Sequence, residues 1–258
     1  MPRYRLLIEY DGANFVGWQS QDNGVAVQAV LEEAVLRLCG EACLVQGAGR
    51  TDSGVHATGQ VAHVDISKDF DADTVRDALN HHVRPHPVAV LSATMVDDDF
   101  HARFSATKRA YLYRILNRRP PPVLDRGRVW WVAQPLDAMA MHEAAQALIG
   151  HFDFTTFRAT ACQAKSPMRT LDRLDVMRVR EEVHVIVEAR SFLHHQVRNI
   201  VGTLILVGEG KWQRRDVAEA LAAQDRCAGG PQRQHRGFIL PMSAMMIEQE
   251  TDGDPAWM

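Results

Sequence analysis

Apolar positions along this chain keep two alternating rhythms. In residues 3–10, Tyr4, Leu6, Ile8 and Tyr10 share one face and Arg3, Arg5 and Glu9 the other, the two-residue period of a half-buried strand. From residue 25 the period lengthens. Val27, Val30, Leu31, Ala34, Val35 and Leu38 predict a helix, with Asn23 as its cap and Gly40 as its stop. A short strand over 42–46, a glycine-rich turn and an alternating strand over 60–66 follow. Residues 73–83 predict a helix broken by Pro85 and Pro87, and 88–96 an apolar strand.

The same order of strands and helices returns further on. Residues 110–116 alternate, and because Tyr111, Tyr113 and Ile115 share a face, at least one of those tyrosines should turn inward. A helix over 137–148 should bury Met141, Ala144, Ala145 and Leu148. Residues 152–170 read as a long irregular segment of the kind that often carries function. Strands over 171–179 and 183–190 form a hairpin around Arg180-Glu181-Glu182, and 237–248 a closing strand. Between them lie an amphipathic helix over 214–223 and one over 192–208 that is apolar nearly all round, hence buried. The expected class is α+β: a mixed, mainly antiparallel sheet flanked by helices, in two pseudo-symmetric halves. They span residues 1–104 and 105–248, followed by an acidic, frayed tail over 249–258.

Composition narrows the class of protein. At 46% hydrophobic and 24% charged residues, the 258-residue chain has an ordinary soluble make-up. A net charge of −3 excludes a uniformly basic surface but leaves 29 Lys and Arg to form a basic face. No apolar run is long enough for a signal peptide or a membrane span. The four cysteines, Cys39, Cys43, Cys162 and Cys227, lack pair spacing, so they are expected to be reduced and mostly buried in a cytoplasmic protein without structural zinc.

Candidate chemistry concentrates in residues 47–57, Gly-Ala-Gly-Arg-Thr-Asp-Ser-Gly-Val-His-Ala. Gly49 and Gly54 permit unusual backbone angles around one carboxylate, Asp52, beside Arg50. Two readings stand side by side: a plain turn between strands, and a positioned reactive acid. Neither a dinucleotide fingerprint nor a phosphate-binding P-loop fits the glycine spacing. Arg198, on the buried helix, needs an anionic partner. Residues 100–109 interleave Phe100 and Phe104 with His101, Arg103, Lys108 and Arg109, either as a solvated loop or as an RNA-facing segment. His194 and His195 suggest a metal pair, but neighbours on a helix diverge by ~100° and chelate poorly. No metal is expected.

These segments resemble the signatures of the tRNA pseudouridine synthase A family. The likeness rests on Gly47-Ala-Gly-Arg-Thr-Asp-Ser-Gly-Val-His-Ala57, Phe100-His-Ala-Arg-Phe-Ser-Ala106, Arg109-Ala-Tyr-Leu-Tyr113 and Phe192-Leu-His-His-Gln-Val-Arg-Asn199. Glu9-Tyr-Asp-Gly12 and Gly17-Trp-Gln19 add to it, and it runs from about residue 4 to about 247. It implies a central RNA-binding cleft and isomerisation of uridine to pseudouridine at positions 38, 39 and 40 of the tRNA anticodon stem-loop. It also implies a homodimer that needs no cofactor. By the same resemblance Asp52 is the nucleophile, Arg198 its ion-pair partner, Tyr111 the residue against the base and a candidate acid or base, and Arg50 the group that displaces the flipped nucleotide. Arg103, Lys108, Arg109 and Arg158 would contact RNA phosphates. Where the family carries a proline-rich run and Gly-Leu, this chain has Gly230-Pro-Gln-Arg-Gln-His-Arg-Gly-Phe238, so Phe238 would line the base site in place of leucine. An RNA N-glycoside hydrolase and a non-catalytic RNA-binding protein are the competing readings. The first lacks a motif for a second carboxylate, and the second leaves Asp52 and Arg198 without a task.

Overall fold

The computed structural model describes residues 1–160, 162–230 and 242–246. Strand β1 (Arg3–Tyr10) forms where the alternation placed it and lies second from one edge of an antiparallel sheet. Helix α1 (Val27–Cys39) follows, capped at Ala26 without a side-chain bond rather than at Asn23, and stopped by Gly40 as expected. β2 is only Gln46–Gly47, and β3 (Ala57–Asp65) takes up the chain after the Asp52 loop. α2 (Ala72–His82), capped by Asp71, and β4 (Val88–Val96) complete this part. The strand order is β2-β3-β1-β4, with Tyr10 opposite Ala57, so β1 ends where the loop re-enters the sheet.

The second sheet starts with β5 (Arg109–Leu116), which pairs in parallel with the short β6 (Trp130–Trp131). α3 (Ala138–Ala145) buries Met141, Ala144 and Ala145 as its spacing required. β7 (Gly150–Asp153) and β8 (Met168–Leu171) pair with each other, so the segment expected to be irregular is framed by a small two-stranded sheet. β9 (Arg173–Val179) and β10 (Glu182–Ala189) form the hairpin, turning at Arg180 with φ 54°. α4 (Gln196–Gly208), α5 (Arg214–Ala223) and β11 (Met242–Met246) follow. The order is β11-β5-β10-β9, and β11 also runs alongside β3, which joins the two sheets.

Each sheet has its own core. Tyr4, Leu6 and Ile8 pack with Leu31, Val35, Val75 and Leu79 in one. Tyr113, Ile115, Val185, Met141, Ile200 and Leu204 pack in the other. Each such apolar side chain withdrawn from water stabilises the fold by about 1.5–3 kcal/mol. One residue crosses the division: Val55, from the Asp52 loop, sits in the second core.

Several expectations are corrected. α4 begins four residues later than the apolar spacing suggested, which takes His194 and His195 off the helix. Of the four free cysteines only Cys39 is buried, while Cys227 is exposed. Phe238, the segment Gln232–Arg236 and the tail 249–258 lie outside the described residues. No described helix is long and apolar enough to cross a membrane.

Candidate active site

The loop that carries Asp52 is held by backbone bonds from one side and a clamp from the other. Gly17 and Asp52 form an isolated antiparallel bridge, in which Trp18 N–H donates to the Thr51 carbonyl at 3.0 Å. Gly54 N–H and the Ser53 hydroxyl both donate to the Phe15 carbonyl. Gly54 turns at φ 75°, where a side chain would be strained, whereas Gly49 keeps an ordinary angle and accepts from Gln60 Nε2 at 2.8 Å. Beneath the turn the Tyr10 and Thr51 hydroxyls share a buried hydrogen bond of 2.8 Å. The plain-turn reading holds for the backbone, and it leaves room for a positioned acid. Asp52 stands partly exposed on a tightly bonded turn.

The second arm comes from the start of α4. His195 is its N-cap residue in the left-handed region, at φ 60° and ψ 9°, and Gln196 Oε1 accepts from Leu193 N–H to close the turn. The left-handed residue brings the His194 and His195 rings to 3.9 Å between centroids, tilted by 40°. The ~100° divergence expected of helical neighbours does not apply here. All three groups of this arm meet the carboxylate. Arg198 Nε lies 3.4 Å from Asp52 Oδ2, His195 Nε2 3.5 Å from the same oxygen, and His194 Nε2 3.6 Å from Oδ1. Burial pulls His195 below the ordinary imidazole pKa, and His194, Arg198 and Arg226 add to the fall against the opposing pull of Asp52. Its imidazole is therefore neutral near pH 7.

Tyr111 stands edge-on to Phe192, with ring centroids 5.1 Å apart, while Tyr113 is fully buried. Both tyrosines face the second core, Tyr113 within it and Tyr111 partly buried against it. Burial, followed by the Asp52 charge, pushes the Tyr111 phenol up to about 12, so it keeps its proton at neutral pH. Arg50 is exposed beside Asp52, and Arg103 is exposed over the ring of Phe104, itself 70% exposed. Lys108 is part-buried, 3.4 Å from Glu188, and Arg158 is part-buried. Arg109 overturns its expected role. It is 8% exposed, and its guanidinium donates to the carbonyls of Ala48, Arg103 and Arg190. Such a buried fork is spent on the protein and cannot also reach a phosphate. Gln60, Thr51 and the two histidines are the site residues that sequence reasoning missed or set aside. A glutamine on an apolar strand face and the His-His pair were the available signals.

Among the described residues two trios bring metal-type donor atoms within 4.8 Å of one another: Asp52 with His194 and His195, and Cys39 with Glu41 and Cys43.

Comparison with known proteins gives the family. The model of the tRNA pseudouridine synthase family matches residues 6–105 and 144–240, which include Asp52 and Arg198. The tRNA pseudouridine synthase A of Paramagnetospirillum magneticum is 65% identical over 240 residues, covering 93% of this chain and 94% of that protein. The protein of the same name from Parvibaculum lavamentivorans is 59% identical over 240 residues, covering 93% and 98%. That from Rhodospirillum rubrum is 61% identical over 231 residues, covering 90% and 83%. A loop acid met by an arginine from the first turn of α4, within a match of this extent, leads to one conclusion: the chain belongs to the tRNA pseudouridine synthase family.

Proposed function

We propose that the chain isomerises uridine to pseudouridine at positions 38, 39 and 40 of the tRNA anticodon stem-loop, with Asp52 as the reacting carboxylate and the target base flipped out of its stack. The observation that carries this reading is the ion pair between Asp52, on the loop between β2 and β3, and Arg198, on α4. The reaction breaks the N1–C1′ bond, turns the uracil and joins it through C5, which loses its hydrogen as a proton. It is redox-neutral. Asp52 serves by attacking the sugar carbon or by assisting departure of the base. Arg198, 3.4 Å from Oδ2, sets an opposing charge against the carboxylate and fixes its direction. Tyr111, protonated, offers the base a ring to lie against and an O–H to donate. Flipping costs about a few kcal/mol, which Arg50, exposed two residues before Asp52, would offset by filling the vacated space. Arg103, Lys108 and Arg158 are the candidates for phosphate contact, and Phe238 for the wall of the base site. A homodimer in the cytoplasm goes with this family reading.

The test is tritium release from tRNA labelled at uracil C5, with native protein and Asp52→Ala. Bond formation at C5 must expel that hydrogen. Release by the native chain at the three positions and a loss of at least about 10⁴-fold in the variant are expected if Asp52 is the nucleophile. Free uracil as product, or a variant that still turns over at native rate, refutes the proposal.

A further inference from the structure

The isomerisation set out above engages Asp52, Arg198, Tyr111 and Arg50 and leaves the two imidazoles at the carboxylate without a task. Their placement is specific. The His194 Nε2 to Oδ1 and His195 Nε2 to Oδ2 separations are 3.6 and 3.5 Å, and the three donor groups lie within 4.8 Å of one another. Zinc, with bonds to nitrogen and oxygen of about 2.0–2.2 Å, holds its tetrahedral donors about 3.3–3.5 Å apart. The His194–Oδ1 distance is thus close to an edge of a zinc tetrahedron, and the His195 nitrogen, 3.5 Å from Oδ2, lies within 4.8 Å of the other donors. The remaining shifts are small, and side chains that are 44% and 33% exposed have room to make them. Two imidazole nitrogens, one carboxylate oxygen and a position open to water form a donor set that suits zinc, whereas magnesium and calcium take mainly oxygen.

We propose that Asp52, His194 and His195 form a Zn²⁺ site, and that an ion bound there blocks catalysis by occupying the reacting carboxylate. The binding half stands on geometry alone; the blocking half rests on the reading of Asp52 given above. Arg198, against Oδ2 at 3.4 Å, leaves Oδ1 as the metal's oxygen. Its positive charge, beside the carboxylate, weakens the site relative to a structural zinc. The ion competes with RNA for one carboxylate, so it acts as a reversible brake and not as a cofactor.

The experiment titrates zinc chloride into the full chain by calorimetry and uses cobalt(II) as a spectroscopic probe, because Cys39, Glu41 and Cys43 offer a rival trio. Nitrogen and oxygen ligation gives visible ligand-field bands without a thiolate charge-transfer band in the near ultraviolet. One ion of that kind is expected, weakened at least about tenfold in His194→Gln and in His195→Gln and unaffected by Cys43→Ala. A second measurement needs no variant: tRNA added first should lower the apparent cobalt affinity. Unchanged affinity in the double histidine variant, or cobalt bound only through thiolate, overturns the site; tRNA without effect on binding overturns the competition and with it the blocking half. Zinc should also stop tritium release, and a chelator should restore it. Zinc held by the histidines with release intact keeps the site and removes Asp52 from the chemistry, so the two readings fail separately.

Discussion

Replacing Arg109 separates two roles that its position in the sequence leaves open. Its guanidinium bonds the Ala48 carbonyl twice, at 3.1 and 2.6 Å, the Arg103 carbonyl at 2.9 Å, and the Arg190 carbonyl. Ala48 lies four residues before Asp52 and Arg190 four before His194, so one side chain ties both arms of the site to strand β5. Arg109→Met keeps the bulk and deletes every donor. Three inward carbonyls then lack a partner, at about 1–3 kcal/mol each, offset in part because a cation no longer has to be buried. The expected loss is about 3–5 kcal/mol, read as a fall in the urea midpoint at constant slope. With both arms loosened, turnover at saturating tRNA should fall on the order of 10–100-fold, since displacements near 1 Å cost that much. A phosphate contact would behave otherwise: unchanged stability and turnover, weaker tRNA binding, and a salt dependence reduced by about one ion. That second pattern would refute the clamp.

Two further outcomes follow from the frame around the site. Gly17 sits at φ 127°, and a Cβ there would come within 2.7 Å of the Thr51 carbonyl, so Gly17→Ala should cost at least about 2 kcal/mol. Gly40→Ala, at φ 80° with open space around it, should cost only about 1 kcal/mol, and equal urea shifts for the two would contradict this. His63, 1% exposed, is pulled down to about 4, first by burial and then by His101 and Arg3. Below pH ~6.5 the unfolded chain gains a proton that the fold refuses, so His63 stabilises the fold above that pH and loses this contribution as pH falls towards 4. Asn at this position can still accept from Ala102 N–H, as His63 Nδ1 does at 3.2 Å. His63→Asn should therefore shrink the stability lost between pH 7 and 4.5 by about 2 kcal/mol. Identical losses in both proteins would show that His63 does not titrate in this way.

Alternation and helical spacing were enough for the strands β1, β4 and β9, the inward face of α3 and the whole of α5, because each buries one face in a regular element. They failed where a single residue breaks the rule. His195 takes a left-handed angle without being glycine, which no period reports, although the helical spacing is strict only from Val197 onward. Arg109 was placed with the polar segment before it. Counted with Tyr111, Tyr113 and Ile115 it falls on the same strand face, and its burial was legible in that alternation. Asp52 and Arg198 were each singled out by local context, a turn in one case and an apolar helix in the other. Their 3.4 Å separation depends on how two sheets join, and local patterns carry no information about that.

Val55 sets how the molecule can meet a folded RNA. It is 3% exposed in the core beneath β5, while Ala57, two residues later, begins a strand of the other sheet. Prising the halves apart would draw that valine into water at about 1.5–3 kcal/mol and carry the carboxylate away from its arginine in the same movement. A frame latched in this way gives little. Under the proposed function, the distortion needed to bring a nucleotide to Asp52 then falls on the RNA, and substrates are expected to rank by how readily they bend.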